Sequence, residues 1–285
     1  MLKSYLSLVK FSHTIFALPF ALVGFTLAIS QDEYSFGWDK LSFVLLCMIF
    51  ARSAAMAFNR YIDRDIDSAN PRTAEVREIP NGTIKAKSAL LFVIINAGLF
   101  IGSSYMLNTL CFYLSPIALL VILGYSYTKR FTALCHLVLG LGLSLSPIGA
   151  YLAVTATFDV LPILFSIIVL FWVSGFDIIY ALQDESFDKK YNLHSIPVLL
   201  GTKNALHFAR FLHVCTASIL IFIAANYFHN SVLFYTAVGI FTSLLLNQHR
   251  LVKADDLSKI NLAFFTNNGL ASVIFGTLTI LELIF

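Results

Sequence analysis

Ser88-Ala-Leu-Leu-Phe-Val-Ile-Ile-Asn-Ala-Gly-Leu-Phe-Ile-Gly-Ser-Ser-Tyr-Met-Leu107 runs for twenty residues without a charged side chain. As a helix rising about 1.5 Å per residue it would be about 30 Å long, the thickness of a bilayer's hydrocarbon core. Similar stretches lie on both sides of it, and nine spans are predicted at 14–30, 40–58, 88–107, 109–127, 134–154, 159–179, 205–226, 231–247 and 262–284. The sequence has no series of ten-residue segments of alternating polarity, the mark of a membrane β-barrel, so the backbone in lipid must satisfy itself as helix. The 285 residues are 58% hydrophobic and 12% charged, with a mean hydropathy of +0.81; soluble domains carry about 25% charge. A water-soluble globule is excluded. The expected fold is all-α, a polytopic integral membrane protein with nine transmembrane helices in the lipid bilayer. No linker or shift of composition divides it, so residues 1–285 read as a single domain.

Nineteen Lys and Arg against sixteen Asp and Glu give a net charge of +3, too balanced to indicate a nucleic-acid partner. Placement is more informative. The N-terminal segment and the connections after spans 2, 4, 6 and 8 hold sixteen of the nineteen basic residues, whereas the opposite connections hold only Lys40. By the positive-inside rule the N-terminus and these connections are cytoplasmic and the C-terminus lies outside. Span 1 follows Lys3 and Lys10, but Ala28-Ile29-Ser30 is a poor cleavage site, so it reads as a retained helix. Cys47, Cys111, Cys135 and Cys215 sit singly in apolar segments, without disulfide or zinc spacing.

Span 2 ends in Asn59-Arg60-Tyr61-Ile62-Asp63-Arg64-Asp65-Ile66-Asp67. Asn59, Asp63 and Asp67 are four apart, which on one helix places them along one stripe. Carboxylates stacked in this way repel unless a cation lies among them, and Mg²⁺ takes such oxygen ligands and bridges to phosphate. Span 6 ends in a second cluster, in which Asp184 and Asp188 repeat the spacing and Tyr180 stands where Asn59 stands, 121 residues earlier. One such cluster is matched equally well by a solvated helix end. Two of them, at equal spacing on one membrane face, favour a metal site within a weak internal repeat.

Basic residues follow both clusters' side of the membrane: Arg72 in Asn70-Pro71-Arg72-Thr73-Ala74, Arg77 just beyond, and Lys129 and Arg130 at the end of span 4. Arg and Lys beside Mg²⁺ are what a diphosphate requires. Arg52 lies within span 2, about two turns deeper than Asn59, where an unpaired cation is costly and is expected to meet an anion.

These residues resemble the signatures of the UbiA superfamily of intramembrane prenyltransferases over nearly the whole chain. The signatures are Asn59, Asp63 and Asp67, then Asn70 to Ala74, Tyr127 to Arg130, Tyr180 with Gln183, Asp184 and Asp188, and Ser195-Ile196-Pro197. Phe11 to Leu22 and Phe131 to Tyr151 resemble the bacterial 4-hydroxybenzoate polyprenyltransferase branch. One departure is that two residues, Glu75 and Val76, precede Arg77 where the family often has one, which leaves Arg77 a weaker match than Arg72.

The resemblance implies helices around a central cavity, with Mg²⁺ and a polyprenyl diphosphate held between the two aspartate motifs near the cytoplasmic face of a bacterial-type inner membrane. It also implies transfer of the polyprenyl chain to a hydroxylated aromatic carboxylate in respiratory quinone synthesis. The acceptor is expected to be of 4-hydroxybenzoate type, with a dihydroxynaphthoate for menaquinone as the alternative. Asn59, Asp63, Asp67, Asp184 and Asp188 are then metal ligands, and Arg72, Lys129 and Arg130 diphosphate ligands, with Tyr180 adding a hydrogen bond. Asp177 becomes a base or phenol orienter and Arg52 the holder of the acceptor's carboxylate. Arg77, Gln183 and His13 are secondary candidates. A cation-coupled transporter is the alternative of another class, disfavoured because transporter sites lie near the midplane rather than at helix ends.

Overall fold

The computed structural model describes the backbone from Leu2 to Phe285, and side chains other than those of residues 1–3 and 11–13. In chain order the helices are α1 (Leu2–Leu8), α2 (Leu18–Ile29), α3 (Trp38–Ile62), α4 (Arg64–Ala69), α5 (Ala86–Leu107), α6 (Thr109–Thr128), α7 (Cys135–Thr155), α8 (Val160–Ala181), α9 (Glu185–Lys190), α10 (Ile196–Tyr227), α11 (Val232–Leu251) and α12 (Asn268–Ile284). Short 3-10 turns at Phe11–Phe16 and Leu182–Asp184 and a π-helical stretch at Leu262–Asn267 complete the chain. The described residues contain no strand, so the all-α membrane fold holds.

Helix occupies every predicted span, yet among the described residues seven helices are both long and apolar enough to cross a bilayer. The two others fall short for visible reasons. Residues Thr14–Ile29 form too short an apolar helix, and α11 ends in the polar run Asn247-Gln248-His249-Arg250. The expected count of nine crossings is therefore not established. Span 205–226 also begins earlier than predicted, at Ile196, because Ser195 caps α10 and the chain passes through a non-helical Gly201 (φ 75°, ψ 158°). Only glycine takes that conformation without strain.

The chain forms two compact units. Residues up to Thr14 with Gly37–Tyr127 form the first, and Ile15–Phe36 with Thr128–Phe285 the second. In the first unit α3 packs chiefly on α5, and α1 touches α3. Leu8, Ala54, Ala57, Ala89 and Val93 form its small apolar core, and Phe58 meets Tyr127 of α6 edge-on at 5.9 Å. Leu91, Ile94, Ile95 and Leu120 are exposed; such a surface suits hydrocarbon rather than water.

In the second unit α8 packs against α7 and α10, while α12 joins α11 and α2. Its centre is aromatic: Phe20, Phe165, Trp172, Phe241 and Phe275 are fully buried, and the Trp172 and Phe241 rings meet at 5.4 Å. Lipid tails are as apolar as leucine, so helices here are held by close packing and interhelical hydrogen bonds. Small residues permit both. A Cβ on Gly24 would strike the Pro147 backbone, and one on Gly175 would lie 2.4 Å from the His213 ring. His213 Nε2 lies 3.2 Å from the Trp172 carbonyl, and Trp172 Nε1 donates to Asn268 Oδ1 at 2.9 Å.

Candidate active site

The predicted single-helix stripe through Asn59, Asp63 and Asp67 is interrupted. Helix α3 stops at Ile62, Asp63 adopts φ −87°, ψ 2°, and α4 begins at Arg64. The spacing nevertheless survives, because the Asp63 amide donates to the Asn59 carbonyl at 2.9 Å and the Asp67 amide to the Asp63 carbonyl at 2.7 Å. The second cluster repeats the device. Helix α8 stops at Ala181, Asp184 adopts φ −104°, ψ 3°, and α9 begins at Glu185. Asp63 and Asp184 are 121 positions apart, so the repeat seen in the residues extends to the backbone break. A helix that breaks at an aspartate turns the following carboxylates off the axis of the span, at a point where sequence alone shows no Pro or Gly.

In the first unit Asp63 and Asp67 are only 2% and 3% exposed. Asn59 Nδ2 donates to Asp63 Oδ2 at 3.0 Å, and Arg60, itself buried, reaches Asn59 Oδ1 at 3.4 Å. Arg77 forms an ion pair with Asp67 Oδ1, whereas Asp67 Oδ2 is buried without a hydrogen-bond partner among the described residues. The loop after α4 is built locally: Asn70 Oδ1 accepts the Arg72 amide at 3.0 Å, and the Thr73 hydroxyl donates to the Asp67 carbonyl at 2.9 Å. That turn brings Arg77 back to Asp67 and leaves Arg72 exposed. Deeper in α3, Arg52 Nη2 donates to the Lys10 carbonyl at 3.3 Å, while its Nε is buried without a partner. Sequence reasoning passed over Arg60 and buried Glu78, which lie within electrostatic reach of one another. Arg60 was taken as one more positive-inside residue at a span end.

In the second unit Asp188 accepts a hydrogen bond from the Ser195 side chain and lies within electrostatic reach of Asp184, Lys129 and His136. The His194 amide donates to the Lys129 carbonyl at 2.7 Å, which ties the start of α10 to the loop that carries Lys129 and Arg130. Predicted metal and diphosphate ligands thus converge here. Tyr180 packs its ring on Phe264 of the π-helical stretch, centroids 4.2 Å apart. Gln183 Nε2 donates to the Tyr180 carbonyl at 2.9 Å, so its amide supports the helix end. Asp177 pairs with His136, Nδ1 to Oδ2 at 2.7 Å, a partner 41 residues away that no local spacing could reveal. The His13 side chain lies outside the described residues.

Among the described residues no three His, Cys, Asp or Glu side chains form a ready-made metal cage. Mg²⁺ does not need one, since it commonly binds through one or two carboxylates, waters and substrate phosphates. A buried pair of carboxylates, one with an unpartnered oxygen, fits that donor set.

The sequence model described as the UbiA prenyltransferase family matches residues 17–269. The 4-hydroxybenzoate octaprenyltransferase of Nitrosomonas europaea is 32% identical over 235 residues, covering 81% of this chain and 78% of that one. That of Herminiimonas arsenicoxydans is 29% identical over 84% and 83% of the two chains. The apo structure of a UbiA homolog from Aeropyrum pernix K1 superposes with a TM-score of 0.84 at 30% identity, over 95% of this chain and 98% of that one. A UbiA homolog from Archaeoglobus fulgidus, bound to DMAPP and Mg²⁺, matches the fold with a TM-score of 0.79 at 18% identity over 99% of both chains. With its paired aspartate breaks set in a helical membrane fold, and matched through both units, the chain belongs to the UbiA prenyltransferase family.

Proposed function

We propose that this prenyltransferase moves the chain of a polyprenyl diphosphate to the ring of 4-hydroxybenzoate in a Mg²⁺-dependent step of respiratory quinone synthesis. Its setting would be a bacterial-type inner membrane, with the N-terminus cytoplasmic and the C-terminus outside. Family membership makes the protein an enzyme rather than a cation-coupled carrier. The acceptor rests on one observation, that relatives about 30% identical over four fifths of the chain are 4-hydroxybenzoate octaprenyltransferases.

Asn59, Asp63 and Asp67 of the first unit and Asp184 and Asp188 of the second would hold Mg²⁺, directly or through water. Bound there, it supplies positive charge against that developing on the leaving diphosphate. Arg72, Lys129 and Arg130 donate to diphosphate oxygens, and the Tyr180 hydroxyl adds a hydrogen bond. These donors favour rupture of the allylic C–O bond, whose electrons leave with the diphosphate. Ring carbon ortho to the acceptor's hydroxyl takes the allylic carbon and gives up its proton to Asp177. Arg52 holds the acceptor's carboxylate, for which its buried, unpartnered Nε is suited.

Membranes containing the protein, a labelled polyprenyl diphosphate and Mg²⁺, offered 4-hydroxybenzoate or a dihydroxynaphthoate, test the reading. Prenylated 4-hydroxybenzoate should form, and its yield should collapse in Asp63→Ala and Asp184→Ala. Turnover of the naphthoate alone would transfer the assignment to the menaquinone-type acceptor. Absence of any prenylated aromatic would refute it.

A further inference from the structure

His136 stands in the first turn of α7 and Asp177 near the end of α8, both within the second unit. Their side chains meet at 2.7 Å, Nδ1 to Oδ2. Access to the two differs sharply: the Asp177 side chain is 23% exposed, the His136 side chain 5%. His136 Nε2 is buried and has no partner among the described residues. The ring's seat is rigid, because Ser174 on α8 donates its hydroxyl to the His136 carbonyl at 3.2 Å. One turn on, Gly140 lets the helices close up: a Cβ there would lie 2.3 Å from the Ser174 hydroxyl. A substrate can therefore reach Asp177 but not the far nitrogen of His136.

We propose that His136 is a positioning residue that holds Asp177 as the acceptor of the proton lost from the prenylated ring. This rests on the aromatic-acceptor reading given above. An ionised carboxylate at a helix end facing lipid depth is costly unless a donor meets it. With Asp177 ionised, Nδ1 carries the donated hydrogen, and the sealed Nε2 keeps that arrangement from exchanging with solvent. Oδ2 is thereby committed to His136, and Oδ1 is turned outward. When the allylic carbon bonds to the ring, the C–H bond at that carbon breaks. Its electron pair restores aromaticity, and its proton passes to Oδ1. No oxidant or further reactant is required.

The experiment compares 4-hydroxybenzoate with the same acid deuterated at both ring carbons beside the hydroxyl, using the full-length protein in membranes. Wild-type protein sets the baseline ratio of the two rates. In His136→Leu, kcat should fall about 10- to 100-fold, at or below the usual worth of a positioned base. The KM for polyprenyl diphosphate should hold, and the hydrogen-to-deuterium rate ratio should rise above baseline as proton removal becomes limiting. His136→Asn, whose side-chain N–H can stand in for Nδ1–H, should regain most of kcat and return the ratio to baseline. His136→Gln, with its amide displaced by one methylene, repeats the comparison if the leucine variant fails to fold, and it should behave like leucine. A loss of kcat with an unchanged isotope ratio and no recovery in Asn would overturn the proposal and leave His136 a structural residue. If wild-type protein prenylates no aromatic at all, the functional reading itself fails and takes this one with it.

Discussion

The Asp67–Arg77 ion pair can be taken apart quantitatively. Asp67 is 4% exposed at its side chain and Arg77 20%. Removing one partner of a buried pair costs about 3–5 kcal/mol, because the other charge is left uncompensated. Arg60 remains within electrostatic reach of Asp67, which places Arg77→Met at the lower end, about 3 kcal/mol. Asp67→Asn keeps the shape and leaves a cation that can still reach water, for about 1–2 kcal/mol. The double variant removes both charges and should cost no more than about 1–2 kcal/mol, far less than the sum of the single changes. Thermal unfolding in detergent without Mg²⁺, at one fixed scan rate, reads the cycle. At about 2–4 °C per kcal/mol for a larger chain, Arg77→Met should lower the apparent Tm by about 6–12 °C. Adding Mg²⁺ should then raise that variant's Tm by more than it raises the wild type's, since the cation meets a carboxylate freed of its arginine. Single costs that simply add, or equal Mg²⁺ shifts in variant and wild type, would refute both the energetic role of the pair and the fit of the site to a cation.

Asp63→Ala and Asp184→Ala should each lower kcat for diphosphate release by about 100-fold or more, on the scale of lost preorganised electrostatic stabilisation; retention of one-tenth activity by either would remove that residue from the site. Arg52→Leu should raise the KM for the aromatic acid about 10-fold or more, the worth of a charged hydrogen bond, and leave that for polyprenyl diphosphate near wild type. An equal rise in both constants would argue that its bond to the Lys10 carbonyl is its whole role. Gly175→Ala should cost about 1–3 kcal/mol by overpacking against the His213 ring, seen as a lower Tm in detergent. An alanine variant as stable as wild type would show that α8 and α10 have room to part.

Charge-free runs of twenty residues made the helices legible, because lipid permits little else. Where polarity returns, the reading weakens: the Asn247 to Arg250 end of α11 and the short Thr14–Ile29 helix are helical as expected but do not meet the measure of a crossing. The four-residue spacing of Asn59, Asp63 and Asp67 found the cluster yet could not show the break at Asp63. An i to i+4 hydrogen bond spans such a break as readily as it spans a continuous turn. Arg77 was a weak candidate for phosphate on spacing. The turn built by Asn70 and Thr73 instead returns it to Asp67, a tertiary fact with no linear signal. His136 and Asp177 were each visible singly. Their pairing depends on how α7 lies against α8, which Gly140 and Ser174 decide by contact, not by pattern.

The π-helical stretch Leu262–Asn267 carries a consequence for how the chain tolerates change in length. A π-turn holds one residue more than the α-turn it replaces. Losing one residue there would restore ordinary winding and swing everything beyond it by about 100°. Ser272, Phe275, Gly276 and Thr279, now packed inward on α12, would then face a different neighbour, and Asn268 would leave Trp172. Phe264, which carries the Tyr180 ring, lies inside the stretch itself. Insertions and deletions should thus be excluded from these six residues more strictly than from any exposed loop, and the segment acts as the reading frame of the last helix.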